Sequence, residues 1–401
     1  MSSLSLRIAP LPGGVSGFPM AVRVRRPDLE VVAVEAVVVG AEPSMPIPVP
    51  PGEYFVEAAI PGRPAVTTSV RVDEDAEGVI DLARRLPADP GRALSIAVGA
   101  SPEPIRPSTL TRFWVRSNGA WHRLDRRSGV EGVVGWQGPC LVQQGFRFTV
   151  LSPSWPESAW PDLKWLRVGA EVGGSRLLAS QAMLAHMRHL DHTAARVLLE
   201  HVYQTLHREH SPSLLAAVGY TFARTDSWRL RELVPELQKL GRMVRLPDLK
   251  ILEAWTLLQG KRSPMAILEA GALLRRAIGE GLPLYTEGLD YLARALRLYR
   301  VFREGEAEPW VATSLRRVEA YNLAADWSET LTVFTGLHPD RPRTLPPWLA
   351  EVGKRKPRRA GLADLMRARV EALRDGLVVA AADVLALLFQ RPQRAKRQLP
   401  S

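Results

Sequence analysis

The feature that most constrains this chain of 401 residues is a change in hydrophobic periodicity near residues 173–175. Before that point, short runs of β-forming residues alternate with turns rich in Pro and Gly, which is typical of strands. After it, apolar residues recur every three to four positions, as on the buried face of an α-helix. The sequence therefore predicts an α+β multidomain protein in which β-sandwich-like modules precede an α-helical array.

The clearest strand signal lies in residues 1–84. The segment PGEYFVEA begins with a Pro-Gly turn and continues as a strand in which Tyr54, Val56 and Ala58 share one face. A second turn follows, and we expect the run at residues 66–72 to be the partner strand. The pattern resembles the carboxypeptidase-regulatory and transthyretin-like sandwiches. This resemblance implies a small Greek-key sandwich and transfers no active site.

A second small β module is predicted over residues 90–172. Its short strands are expected at residues 94–98, 112–115, 121–124, 130–134 and 146–150. The module ends in a Trp- and Pro-rich connector. We assign its tryptophans to small cores and to the junction with the helices, and an aromatic platform for a ligand is the alternative.

The helical array is predicted over residues 175–340. Three apolar segments in it begin at residues 214, 251 and 288, a spacing of 37 residues. Such a period is typical of arrays of helix pairs, which bury a continuous core by stacking. The unit resembles a degenerate tetratricopeptide repeat, and an irregular helical bundle is the alternative. The candidate partner-binding residues of this array are Tyr220, Trp255, Tyr291 and Tyr299.

A group of histidines is the main argument for an enzyme, since six of the eight lie between residues 186 and 210. The run HMRHLDH nearly matches the H-x-H-x-D-H metal motif of metallo-β-lactamase-like hydrolases. On a helix, however, only neighbouring histidines face the same side, and no Cys or Glu-x-x-His pair completes a recognised zinc site. We therefore predict no metal and no cofactor. The alternative is a metal-dependent hydrolase centred on His186, His189, Asp191 and His192.

The single cysteine offers a second catalytic interpretation, in which Cys140 is a nucleophile paired with His122. Nothing in their spacing specifies that pair, and a lone cysteine beside a strand is usually a small buried hydrophobic residue. The chain contains no phosphate-binding glycine loop and no nucleophile elbow. We assign no catalytic residue and predict that the protein is not an enzyme.

The basic character of the chain is concentrated at its C-terminal end. Of a net charge of +11, residues 351–401 carry twelve Lys and Arg against five Asp and Glu. Residues 341–401 are assigned to a basic linker and a C-terminal helix that caps the array. The alternative is a membrane- or nucleic-acid-associated protein that acts through this basic tail by weak contact with an anionic membrane or another polyanion, and sequence-specific nucleic-acid recognition is not predicted. The candidate residues for polyanion contact or proteolytic cleavage are Lys354, Arg355, Lys356, Arg358 and Arg359.

Two features of the sequence bear on where the protein is located. No apolar run reaches the roughly 20 residues that span a bilayer, and the N-terminal residues lack the pattern of a secretory signal. We therefore expect a cytoplasmic protein.

A broader resemblance combines the strand PGEYFVEA with the helical segments LLAAVGYTFAR and LPDLKILEAWTLLQGK. Together they resemble accessory proteins of bacterial conflict systems that are encoded beside caspase-like or CHAT peptidases. The resemblance implies a regulator, inhibitor or substrate of a peptidase in antiviral defence, and it transfers no catalytic residue. The leading hypothesis is a non-enzymatic adaptor that binds a protein partner, such as that peptidase, through the helical array.

Overall fold

The computed structural model describes residues 2–99, 112–117, 120–124, 139–151, 174–209, 211–260, 263–303 and 308–344. All of these residues belong to one compact unit, Met1–Gly353. Strands dominate up to residue 151 and helices from residue 174, which confirms the predicted α+β arrangement. Of the helices in these ranges, none is long and apolar enough to cross a membrane.

Two small sheets form the N-terminal region. Their strands are β1 Ser3–Ile8, β2 Pro19–Arg25, β3 Val31–Val38, β4 Ile47–Pro48, β5 Gly52–Ala58, β6 Val66–Val72 and β7 Asp75–Ile80. One sheet has the order β4-β1-β7 and the other β3-β2-β5-β6. Aliphatic side chains from both sheets, such as Leu6 of β1 and Val22 of β2, belong to one buried core. An added Cβ at Gly78 of β7 would lie 3.2 Å from Val56 of β5, so the two sheets face each other as a sandwich.

Strand β5 has the alternation that its sequence predicts. Tyr54, Val56 and Ala58 are buried, while the residues between them are partly exposed. The predicted partner strand β6 pairs with β5 along its whole length in antiparallel register. The Tyr54 hydroxyl donates a hydrogen bond of 2.7 Å to the carbonyl of Pro50, which ties the entering turn to the strand.

The segment after the sandwich differs from the prediction. Residues 94–98 were expected to form a strand, but most of them lie in helix α1, Pro90–Ala97. The carboxylate of Asp89 caps this helix by accepting a hydrogen bond of 2.8 Å from the N–H of Arg92, and a proline occupies the first turn. The prediction was wrong because these helix-start signals outweigh the weak β-propensity of a short apolar run.

A third, antiparallel sheet has the order β13-β12-β11-β10-β8-β9. Strands β8, β9 and β11 were predicted, β10, β12 and β13 were not, and the strand expected at residues 130–134 lies outside the described residues. The bounds of the six strands are β8 Arg112–Ser117, β9 Ala120–Leu124, β10 Cys140–Gln144, β11 Arg147–Leu151, β12 Val333–His338 and β13 Arg341–Pro342.

The last two strands return to this sheet after the helices. Strand β12 pairs with β11 so that Phe148 lies opposite Phe334, and the two rings stack with centroids 5.0 Å apart. Tyr321 packs edge-on against Phe334. The described helices from residue 174 onward therefore lie, along the chain, between two neighbouring strands of a single sheet, and Ala325 after the last of them forms a β-bridge with Phe334.

Nine helices lie between β11 and β12 in the described ranges. They are α2 Gly174–Arg188, α3 His192–Glu209, α4 Pro212–Thr225, α5 Ser227–Glu232, α6 Val234–Met243, α7 Pro247–Gln259, α8 Pro264–Glu280, α9 Thr286–Phe302 and α10 Pro309–Ala324. Ser211 and Ser263 precede α4 and α8, and each side-chain oxygen accepts a hydrogen bond from a backbone N–H of the first turn. Both are typical N-caps followed by proline.

The three segments spaced by 37 residues form α4, α7 and α9, which pack against one another in that order. Glycines permit the close approach. At Gly219 an added Cβ would lie 2.5 Å from Leu252, and at Gly288 it would lie 2.6 Å from the Tyr220 hydroxyl. The spacing thus marks helices that stack, while their assignment to tetratricopeptide repeats stays a prediction.

Candidate functional site

The histidine run lies where the helices meet the sandwich. Asp191 is the N-cap of α3, since its Oδ1 accepts a hydrogen bond of 3.2 Å from the N–H of Ala194. Both carboxylate oxygens also accept from Arg23 Nη2 of β2 at 2.5 Å. The buried His186 holds Nδ1 3.3 Å from Asp191 Oδ2, an ion-pair distance. Burial alone would raise the pKa of Asp191, but its contacts with His186, Arg23 and Ala194 outweigh burial and hold the pKa well below its ordinary value.

The other two histidines of the run are exposed on the surface. The ring of His189 covers Gly62 of the sandwich, where an added Cβ would lie 2.5 Å from the ring. His192 is the first residue of α3. Within the ranges that the structure describes, no group of three His, Cys, Asp or Glu could hold a metal ion. The run therefore brings together an acid, a histidine and an arginine that fasten the helices to the sandwich.

Cys140 lies inside the third sheet. Burial raises the pKa of its thiol to about 12, so almost no thiolate is present at neutral pH. In the register of the sheet, Val115 lies between Cys140 and His122. Neighbouring strands are about 4.8 Å apart, so this step of two strands separates the pair by roughly 10 Å. The geometry excludes a nucleophile formed by Cys140 and His122.

The four predicted partner-binding residues lie mostly in the core. The side chains of Tyr220, Tyr291 and Tyr299 are 1%, 6% and 2% exposed. Trp255 is partly buried and packs edge-on against Tyr291, with ring centroids 5.2 Å apart. Tyr220 and Tyr291 line the cavity described below, whereas Tyr299 does not line it. Their role in binding stays a prediction.

A buried carboxylate supports this aromatic cluster. Asp248 of α7 is fully buried and accepts hydrogen bonds from the hydroxyl of Tyr220 at 3.0 Å and from the N–H groups of Leu284 and Tyr285 at 2.7 and 3.3 Å. Burial raises the pKa of Asp248 to about 6, although these three donors act in the opposite direction. The carboxylate thereby fixes the segment that leads into α9 against α4 and α7.

A cavity of about 360 Å³ opens beside this cluster, between α2, α4, α9 and the turn that follows α10. Its lining is both apolar and charged. The apolar part includes Leu184, Met187 and Tyr291. The remaining lining residues that matter here are Arg188, Arg224, Glu287, Asp290, Arg294 and Trp327.

Two ion pairs shape the cavity. Arg188 of α2 and Glu287 of α9 form a bidentate pair, with Nε–Oε1 and Nη2–Oε2 distances of 2.7 and 3.0 Å, and their side chains are 11% and 10% exposed. Arg188 also donates to the backbone carbonyls of Trp327 and Glu329, which joins the turn after α10 to α2. The second pair, Arg294 with Asp290 at 2.7 Å, lies one turn apart on α9 and is more exposed. The first pair is part of the framework, and the second faces the opening.

The charged side chains of the cavity were not predicted from the sequence. They come from helices that are far apart in the chain, so no local motif unites them. One signal was available: Arg224 follows Tyr220 by four positions and Arg294 follows Tyr291 by three, which places each arginine on the helix face of an aromatic candidate. The predicted basic residues of the tail, Lys354, Arg355, Lys356, Arg358 and Arg359, lie outside the described residues.

Comparison with known families gives one match. Residues 182–374, just under half of the chain, are similar to the family described as the Y4kD C-terminal domain. All of the residues that line the cavity fall within this segment, and the whole sandwich falls outside it. A search of curated proteins and a search of solved structures found no match.

Proposed function

We propose that this chain is a non-enzymatic adaptor that holds a protein partner at the cavity of its helical region. The observation that carries the proposal is that one cavity is lined by both an exposed aromatic ring and an exposed guanidinium. Trp327 is 45% exposed at the rim, and Arg224 has no ion-pair partner among the described residues. Trp, Tyr and Arg are the side chains that most often dominate the energy of protein interfaces.

The remaining charges of the cavity support binding over catalysis. Glu287 is engaged by Arg188, and Asp290 by Arg294. A general base must be able to take up a proton from a substrate, and a carboxylate held in a bidentate pair with arginine is poorly suited to do so. The arrangement favours recognition of a bound group.

The proposed partner is a caspase-like or CHAT peptidase of a bacterial antiviral system, encoded beside this chain. This part of the proposal rests on the resemblance of the strand PGEYFVEA and of the two helical segments. The cavity supports the existence of a partner, and the resemblance supplies the candidate to test first.

The test is co-expression of the full chain with its neighbouring gene products, followed by affinity purification. We expect the peptidase to co-purify with the wild type and to be reduced at least about tenfold by Trp327→Ala, as for an aromatic residue at an interface hot spot. Trp228→Ala is the matched control, because Trp228 is 61% exposed on α5 and does not line the cavity. Equal retention by all three proteins, or no retained neighbour, would contradict the proposal.

A further inference from the structure

The charges that line the cavity do not balance. Three arginines, Arg188, Arg224 and Arg294, face two acids, Glu287 and Asp290. The acids are each paired with one arginine, at distances of 2.7 Å. Arg224 remains, so the lining carries a net charge of +1 that a ligand can neutralise.

Arg224 is placed to receive that ligand. It lies in the last turn of α4 and its side chain is exposed. A basic residue there is favoured by the helix dipole, which accounts for its position but leaves its five N–H donors available. Burial, with the charges of Asp290 and Glu287, raises the pKa of Tyr291 to about 12, while the charges of Arg294 and Arg224 act in the opposite direction. Arg224 and Tyr291 line the same cavity.

An apolar surface lies next to this charge. Met187, Tyr291 and Trp327 line the same cavity as Arg224. The Trp327 ring is held in place, since its Nε1 donates a hydrogen bond of 3.0 Å to the carbonyl of Asn322. A fixed and half-exposed indole that lines the same cavity as a guanidinium suits a ligand that carries an apolar group near an anion.

We infer that the cavity binds a single carboxylate, carried next to an apolar side chain on a peptide of the partner, with Arg224 as the carboxylate-binding residue. This inference rests on the proposed function and specifies its chemistry. A phosphate brings a charge of about −1.5 to −2, which exceeds the net charge of the lining, whereas a carboxylate matches it. A volume of about 360 Å³ is near the lower end of ligand pockets, and it suits one or two side chains of a peptide.

The test uses small probes on the purified full chain, read by saturation-transfer NMR. N-acetylphenylalanine carries a terminal carboxylate, N-acetylphenylalanyl-glutamic acid α-amide carries only a side-chain carboxylate, and N-acetylphenylalanine amide carries none. We expect at least one of the two carboxylates to bind about tenfold more tightly than the amide, as expected for a charge-assisted hydrogen bond. The carboxylate probe that binds more tightly shows whether the partner supplies a chain terminus or an acidic side chain.

Variants assign the binding to Arg224. Arg224→Gln should weaken the binding of the carboxylate probe about tenfold and leave the affinity for the amide probe unchanged. Arg231→Gln is the matched control, because Arg231 is an exposed arginine of α5 that does not line the cavity. Competition with acetate and with inorganic phosphate at equal concentration compares the two anion classes. We expect acetate to displace the probe at least as well as phosphate.

The inference is overturned if the amide binds as well as both carboxylates, if no probe binds, if Arg224→Gln has no effect, or if phosphate is the better competitor. These failures are separable from failure of the proposed function. Partner retention that depends on Trp327 but is unchanged by Arg224→Gln keeps the adaptor and removes carboxylate recognition. Partner retention that is unchanged by Trp327→Ala removes the adaptor at this cavity, whatever the probes do.

Discussion

The sandwich and the helical region share one apolar core but differ in the ionisable groups that they bury. In the described part of residues 2–99, every side chain that is buried is apolar or aromatic. The helical region buries ionisable groups as well, among them His186, Asp248, Lys250 and Glu287. Burying an ionisable group costs free energy of folding unless the group is paired with a charge or a hydrogen-bond partner. Because each pair requires a specific geometry, these groups fix the positions of the helices that carry them. The sandwich is a packing module, whereas the helical region holds defined polar geometry around a cavity.

The strongest test of this difference removes one member of the buried ion pair beside the cavity. Arg188→Met should lower the free energy of unfolding by about 3 to 5 kcal/mol, because it leaves the Glu287 carboxylate buried without a partner. The sandwich counterpart is Arg7→Gln, which breaks an exposed cross-strand pair with Glu77, and it should cost under about 1 kcal/mol. Urea unfolding monitored by circular dichroism measures both.

A second substitution serves as the control for this pair. Glu287→Gln added to Arg188→Met should recover part of the lost stability, since no charge is then buried. A loss from Arg188→Met no greater than that from Arg7→Gln would show that the two regions do not differ in this respect.

The next largest effect concerns the dependence of stability on pH. The pKa of Asp248 is about 6 in the folded protein, and about 3.9 is expected in the unfolded chain. Between these values the folded protein keeps a proton that the unfolded chain has released, so the stability contribution of Asp248 is full below pH 4 and is lost as pH rises through 6. The stability of the wild type relative to Asp248→Asn should therefore fall from pH 4 to pH 7, by up to about 3 kcal/mol for two pKa units.

Leu252→Ala is the control, because it destabilises the same helix and removes no titratable group. Its effect on the free energy of unfolding should be the same at pH 4 and pH 7. A difference between wild type and Asp248→Asn that does not change with pH would contradict the raised pKa of Asp248, and with it the contrast between the two regions.

The sequence predicted local features better than distant pairings. The alternation in strand β5 and its pairing with β6 were predicted correctly, since both are determined by residues that lie close together in the chain. Strands β12 and β13 were missed, because their place in the sheet depends on a partner strand that precedes all of the helices from α2 onward. Helix α1 was missed because its Asp-Pro start was weighed below a short apolar run.

The candidate site was harder to predict than the fold. The histidine run attracts attention as a metal motif, yet its acid is engaged by Arg23, which lies 168 residues earlier in the chain. Tyr220 and Tyr291 were identified, but as surface residues, because helical periodicity alone does not say which face a neighbouring helix covers. Arg224 and Trp327 were missed since only the packing of α4, α9 and the turn after α10 brings them to one cavity.

The smallest predicted effect compares one hydroxyl in each region. Tyr54→Phe removes a hydrogen bond to the neutral carbonyl of Pro50 and should cost about 1 kcal/mol. Tyr220→Phe removes a donor to the Asp248 carboxylate and should cost about 2 kcal/mol at pH 7, where that carboxylate is ionised. At pH 4 the carboxyl is protonated, so the loss from Tyr220→Phe should approach that from Tyr54→Phe.

Both rings are buried and remain in place, so urea unfolding at the two pH values isolates the hydroxyls. Equal losses of unfolding free energy at pH 7 would mean that the hydroxyl of Tyr220 contributes no more than an ordinary neutral hydrogen bond. The buried polar groups of the helices would then stabilise the protein no more than those of the sandwich.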